Sequence, residues 1–287
     1  MFRGRDVLAD GLLTPDALRS SAWRRLFRGI YADASLPESH GVRVRGARLL
    51  APPWAVFSGR SAAYLHGATA LVGPGHPVEV SIPAGRQFGP VTGLRVRRVP
   101  LPGSDVTRRG AFAFTTGLRT ALDIARTDPV LDSVPALDVL LAGGIVGLHE
   151  LRDAAADLVD VRGARWARQA ASLADPRAES QPESRLRVIL ALAGLHTVPQ
   201  FTVRDATGAF AGRVDLAFPA HRVAVEYDGA WHGAAGQLGR DRRRLNRLAA
   251  AGWVVFHVTA RDLYDVEALV AALRALLADR ECAESGR

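Results

Sequence analysis

Two acidic side chains on adjacent short strands carry the strongest chemical signal in this chain. Arg213-Val-Asp-Leu-Ala-Phe218 and Val223-Ala-Val-Glu-Tyr-Asp228 both alternate as strands do, and Pro219-Ala-His-Arg222 joins them as a proline-led turn. A two- or four-residue loop pairs Phe218 with Val223 and sets Asp215 directly across from Glu226. Residues facing each other across two strands have Cβ atoms ~5 Å apart, where like charges destabilise. At an effective dielectric of ~20 the repulsion is about 3 kcal/mol. The pattern therefore predicts either one protonated carboxyl or a cation between the two. A divalent cation, Mg²⁺ or Mn²⁺, held by Asp215 and Glu226, is the expectation adopted here.

The elements around this hairpin define what must position it. Glu183-Ser-Arg-Leu-Arg-Val-Ile-Leu-Ala-Leu-Ala-Gly194 reads as a helix with a glycine stop. After the hairpin come a very basic helix over 239–252, an apolar strand over 253–258, and an amphipathic helix marked by Val266, Leu269, Val270, Leu273, Leu276 and Leu277. Helix–strand–strand–helix–strand–helix implies a mixed central sheet with helices on its faces. Asp175-Pro176 and Gln181-Pro182 mark its start, giving a domain over 177–287.

The front of the chain divides in two on the same reading. Residues 1–57 are basic and helical: Thr14-Pro15-Asp16 has the form of a helix start, and Arg24 to Tyr31 turns strand-like. A helix-turn-helix with a small β wing fits this pattern, as does any small helical cap. Residues 58–176 mix a short helix ending at Gly67, strands over 78–82 and 94–99, and helices from Thr116 onward. The whole chain reads as α+β.

Composition narrows the setting. The chain has 287 residues, 48% of them hydrophobic, and a formal charge of +8, which favours polyanionic partners. Every basic side chain other than histidine is arginine, so lysine chemistry is excluded throughout. The lone cysteine, Cys282, rules out an intrachain disulfide and a cysteine-based zinc cage. No apolar run has membrane-spanning length and no signal-peptide core is present, so a cytoplasmic protein is expected.

Residues 179–264 resemble the very short patch repair endonuclease-like branch of the PD-(D/E)XK superfamily. Asp215-Leu-Ala-Phe-Pro219 is similar to the metal-aspartate strand of that family, and Glu226-Tyr-Asp-Gly-Ala-Trp-His232 to its second active-site strand. Asp241, Arg244 and Gly252-Trp253-Val254 resemble its following helix and strand. The resemblance implies a restriction-endonuclease-like α/β/α domain that hydrolyses DNA phosphodiesters. It implies Asp215 and Glu226 as metal ligands, Glu183 or Asp228 as helpers, and His232 for proton transfer. Arg240, Arg243, Arg244 and Arg247 would touch backbone phosphates. One departure stands out: the usual Glu-X-Lys is here Glu226-Tyr227-Asp228, without the lysine that would stabilise a nucleophile.

Each of these residues also has a plainer structural role. Glu183 near a helix start would serve the macrodipole, Asp241 and Arg244 would pair along one helix, and an arginine run is commonly a solvated face.

Arg28-Gly-Ile-Tyr31, Ser58 to Gly67 and Thr115 to Ala125 resemble abortive-infection-type (type IV) antitoxins, including His66 and Arg119 within those stretches. That likeness implies an operator-binding winged helix over 1–57 and an antitoxin-like domain over 58–176. The expectations are thus a metal-dependent DNA endonuclease or nickase for repair or defence, with a non-catalytic antitoxin-like DNA-binding regulator as the alternative. The partners expected are DNA and a cognate toxin or other protein.

Overall fold

The computed structural model describes residues 1–229 and 237–285, with the backbone alone described for 237–240 and 284–285. The protein is α+β and forms two compact units, 1–127 with 143–168, and 128–142 with 169–287.

The first unit opens with β1 (Phe2–Arg3), α1 (Gly4–Ala9) and α2 (Pro15–Leu18). The Thr14 hydroxyl accepts the Ala17 N–H at 3.1 Å, so the Thr-Pro start caps a helix as its residue types require. This helix is only four residues long. β2 (Trp23–Phe27) and β3 (Ile30–Asp33) follow, giving a three-stranded antiparallel sheet in the order β1-β3-β2.

Next come α3 (His40–Leu50), β4 (Val56–Phe57), α4 (Gly59–His66), β5 (Val78–Ile82), β6 (Leu94–Arg98), β7 (Val106–Arg109), β8 (Phe112–Thr115) and α5 (Gly117–Thr127). Gly67, at φ 114°, ends α4 in the left-handed conformation that suits glycine. The strands form a mixed sheet, β6-β5-β4-β8-β7, with β5–β6 and β4–β8 parallel. Phe27, Ile30 and Val44 share one core with Phe57, Val78, Val80 and Phe114. Residues on both sides of position 57 therefore bury the same apolar surface, and the boundary expected there does not separate two compact units.

α6 (Val130–Ala142) belongs to the second unit, whereas α7 (Leu148–Ala156) returns to the first, and α8 (Ala164–Leu173) runs from one into the other. Asp138 explains the assignment of α6. It is buried, takes Nη2 of Arg187 at 2.8 Å, and accepts the Asp175 N–H at 2.7 Å. Burial pushes its carboxyl above the ordinary aspartate range, and the Arg187 charge opposes that.

The rest of the second unit is α9 (Gln181–Leu192), β9 (Val198–Arg204), β10 (Phe210–Phe218), β11 (Val223–Asp228), α10 (Gln237–Ala250), β12 (Val254–Thr259) and α11 (Val266–Ser285). Its four strands run β12-β11-β10-β9, antiparallel except for the β11–β12 pair. Leu216, Phe218, Val223 and Val225 pack on Leu186, Leu190, Leu273 and Leu277 of α9 and α11. Ala217 and Ala224 pack with Trp253 and with Leu248 of α10. Helices thus cover both faces of a mixed sheet, as the element order implied. Val214 joins the α10 cluster rather than that of Leu216 and Phe218, so the simple alternation read along β10 breaks near Asp215.

Candidate active site

The hairpin turn is as read. Pro219–His221 makes one tight turn, Arg222 closes it at φ 50°, and Phe218 faces Val223. The ladder between β10 and β11 then runs through Ala217–Ala224 to Leu216–Val225 and stops one step short of Asp215 and Glu226. Beyond it the Asp215 side chain substitutes for a backbone acceptor: Oδ2 takes the Tyr227 N–H at 3.0 Å. On the other side of β10 the partner strand carries Gln200 at φ 52°, a left-handed residue in mid-strand. A non-glycine residue there is strained. It sits between Pro199 and Phe201, which pair with Leu216 and Val214. Asp215 therefore lies where both ladders are irregular.

Electrostatics single out the same residue. Burial first, and the nearby Glu183 and Glu226 charges after it, push the Asp215 carboxyl up to about 6. The Tyr227 N–H and the Arg244 charge oppose the rise. No arginine or histidine is hydrogen-bonded to or ion-paired with Asp215 among the described residues.

Glu226 has a cation. It is buried, and Arg244 of α10 reaches it with Nη1 at 2.5 Å and Nη2 at 2.6 Å, a two-pronged pairing. Nη1 also donates to the Arg213 carbonyl at 3.2 Å. Part of the charge conflict expected at the hairpin is thus relieved by an arginine.

Glu183 is built into its own helix start. Ser180 caps this helix: its hydroxyl accepts the Glu183 N–H at 3.3 Å and donates to Glu183 Oε1 at 2.8 Å. Oε2 accepts from Glu179 N–H at 3.2 Å and from Gln200 Nε2 at 3.1 Å. Capping is its direct role here, and its charge reaches Asp215 as well.

Asp228 is half exposed and pairs with Nδ1 of His257 at 3.0 Å. His257, which no sequence motif marks, meets this strand end because β11 and β12 run parallel, with Glu226 opposite it. His232 lies outside the described residues, and so does the Arg240 side chain. Arg247 donates to the Ala211 carbonyl at 3.0 Å, so Arg244 and Arg247 both reach back to β10. Arg243 is exposed. Among the described residues, no three or more His, Cys, Asp and Glu side chains already form a group able to hold a metal ion.

The fold and the site define an α+β protein whose second unit sets an aspartate, without an ion-pair partner among the described residues, at the end of a sheet ladder beside an arginine-paired glutamate. It belongs to the family of two uncharacterized proteins of Mycobacterium tuberculosis. These are MT2308 of strain CDC 1551 / Oshkosh and Rv2248 of strain ATCC 25618 / H37Rv, each 30% identical over 245 residues, 83% of this chain and 86% of theirs. No family model matches the chain. The crystal structure of the RV2827C protein from Mycobacterium tuberculosis aligns at a TM-score of 0.39 and 17% identity, over 72% of this chain and 80% of that one. No helix among the described residues is long and apolar enough to cross a membrane.

Proposed function

We propose that the second unit is a metal-dependent DNA endonuclease or nickase centred on Asp215. The observation that supports this most is the carboxyl itself: partly buried, raised to about 6, beside two more carboxylates and with no ion-pair partner among the described residues. A divalent ion would supply the missing positive charge. Carboxylate oxygens suit Mg²⁺ or Mn²⁺. Asp215 would hold such an ion, joined by Glu226 once Arg244 releases it, with Glu183 close by.

A bound ion of this kind acidifies a water and neutralises phosphate charge. The chain supplies the remaining functions. Arg244, freed from Glu226, presents to a phosphate the same fork it offers the carboxylate. Arg243, exposed on the same helix, offers a further backbone contact. His232 is the residue assigned to proton transfer. The net charge of +8 favours a nucleic acid substrate.

The test is Mg²⁺-dependent nicking of supercoiled plasmid by the full chain. Asp215→Ala should abolish it while leaving the circular dichroism spectrum unchanged; cutting that persists in the variant removes the assignment.

One observation favours a second reading, a non-catalytic DNA-binding regulator of antitoxin type: Arg244 engages both oxygens of Glu226, and aspartate stands where the lysine would be. On that reading wild type binds DNA in Mg²⁺ without cutting it, affinity falls steeply with salt, and Asp215→Ala binds equally well.

A further inference from the structure

We propose that a pocket of the first unit, between the end of α5 and the start of α8, binds single-stranded nucleic acid. One base would stack on Trp166, with its flanking phosphates on Arg162 and Arg165.

The pocket has a volume of about 720 Å³ and is lined by four arginines, Arg126, Arg162, Arg165 and Arg168, against one acid, Asp160. Its walls are built from the chain itself. Arg126 donates through Nε to the Arg162 carbonyl at 3.0 Å, and Arg168 through Nη1 to the Leu158 carbonyl at 2.9 Å. Gly163, at φ 81°, lies so close to the Arg126 carbonyl that a Cβ there would collide with backbone. The loop is therefore fixed against α5 at a point where only glycine fits.

Two of the arginines stay available. Arg162 and Arg165 are exposed and have no ion-pair partner among the described residues. Trp166, the residue after Arg165, lines the same pocket and is 56% exposed. An indole face beside unpaired guanidinium groups matches the chemistry of a nucleotide, since rings stack on the indole and phosphates accept the arginine forks. A single strand fits better than a duplex, because duplex base faces are already covered by their neighbours. An acidic protein partner would satisfy the arginines but gives no role to the open indole face.

This inference does not depend on the nuclease reading, because every residue it uses lies in the first unit. Fluorescence anisotropy of labelled oligothymidylate and oligouridylate with the full chain, in EDTA to prevent cutting, tests it; the two probes separate DNA from RNA as the preferred strand. Trp166→Ala should weaken the preferred probe about tenfold, and Trp166→Phe should retain most of the affinity. Arg162→Gln with Arg165→Gln should make the slope of log affinity against log salt shallower by about 1.4. Wild-type affinity in both the Trp166→Ala and the double arginine variants overturns the proposal. So does a duplex that competes as well as the single strand.

Discussion

Arg244 grips Glu226 with both terminal nitrogens, at 2.5 and 2.6 Å, reaching from α10 to the buried end of β11. A buried carboxylate that loses its paired cation is left with its desolvation cost, about 3–5 kcal/mol in comparable pairs. Arg244→Ala should therefore lower the urea midpoint substantially, and adding Glu226→Gln should recover much of the loss. If Glu226 is also a metal ligand, Mg²⁺ should raise the midpoint of Arg244→Ala more than that of wild type.

Asp215 gives a prediction with a definite sign. Its carboxyl titrates near 6 when folded, against 3.8 as the ordinary value. Between those values the folded chain holds more protons than the unfolded one, so stability falls as pH rises from about 4 to about 6. Asp215→Asn keeps an acceptor for the Tyr227 N–H but cannot ionise. In EDTA the variant should match wild type below pH about 4 and exceed it by up to about 3 kcal/mol above pH about 6. Denaturation midpoints that run parallel across that range would show that Asp215 carries no such strain.

The Arg187–Asp138 pair should also be costly to break, since both side chains are buried. Arg187→Ala should destabilise the second unit by about 3–5 kcal/mol. Replacing Asp138 with Ala in the same chain should restore part of this, and a double-mutant cycle by chemical denaturation reads the coupling.

Gly59→Ala should be poorly tolerated in the first unit. Gly59 has φ 53°, and a Cβ there would run into the carboxylate of Glu79. That carboxylate is buried and held by Arg95 at 3.0 Å and Arg97 at 3.5 Å, so it has little room to retreat. A thermal melt should show the loss, while Gly85→Ala, whose Cβ position is open, should cost only its backbone strain.

Local signals in the sequence survive into the structure. The Thr14 cap, the Gly67 stop, the Pro219 turn and the Phe218–Val223 pairing each depend on a few neighbouring residues, and each is present. What escaped depends on partners far along the chain. No local pattern marks β9 as a strand, nor Gln200 in it, whose strained backbone lies between the partners of Val214 and Leu216 and whose amide meets Glu183. The parallel β11–β12 register has no tight turn to announce it, so the meeting of His257 with Asp228 was illegible. In the sequence Arg244 belongs to the arginine run that the family resemblance sets against backbone phosphates. Its length and the small Gly212 beneath it let it fold back onto Glu226 instead.

The path of the backbone between the two units has its own consequence. The chain passes from one to the other after residues 127, 142 and 168, so three covalent stitches join them. A protease that cuts at any single stitch leaves the halves tethered by the other two. A fragment beginning at residue 177 would lack α6, and with it the buried aspartate that neutralises Arg187. Dissecting this protein into separately expressed pieces therefore requires cutting along the interleaved path of the chain rather than at one linear border.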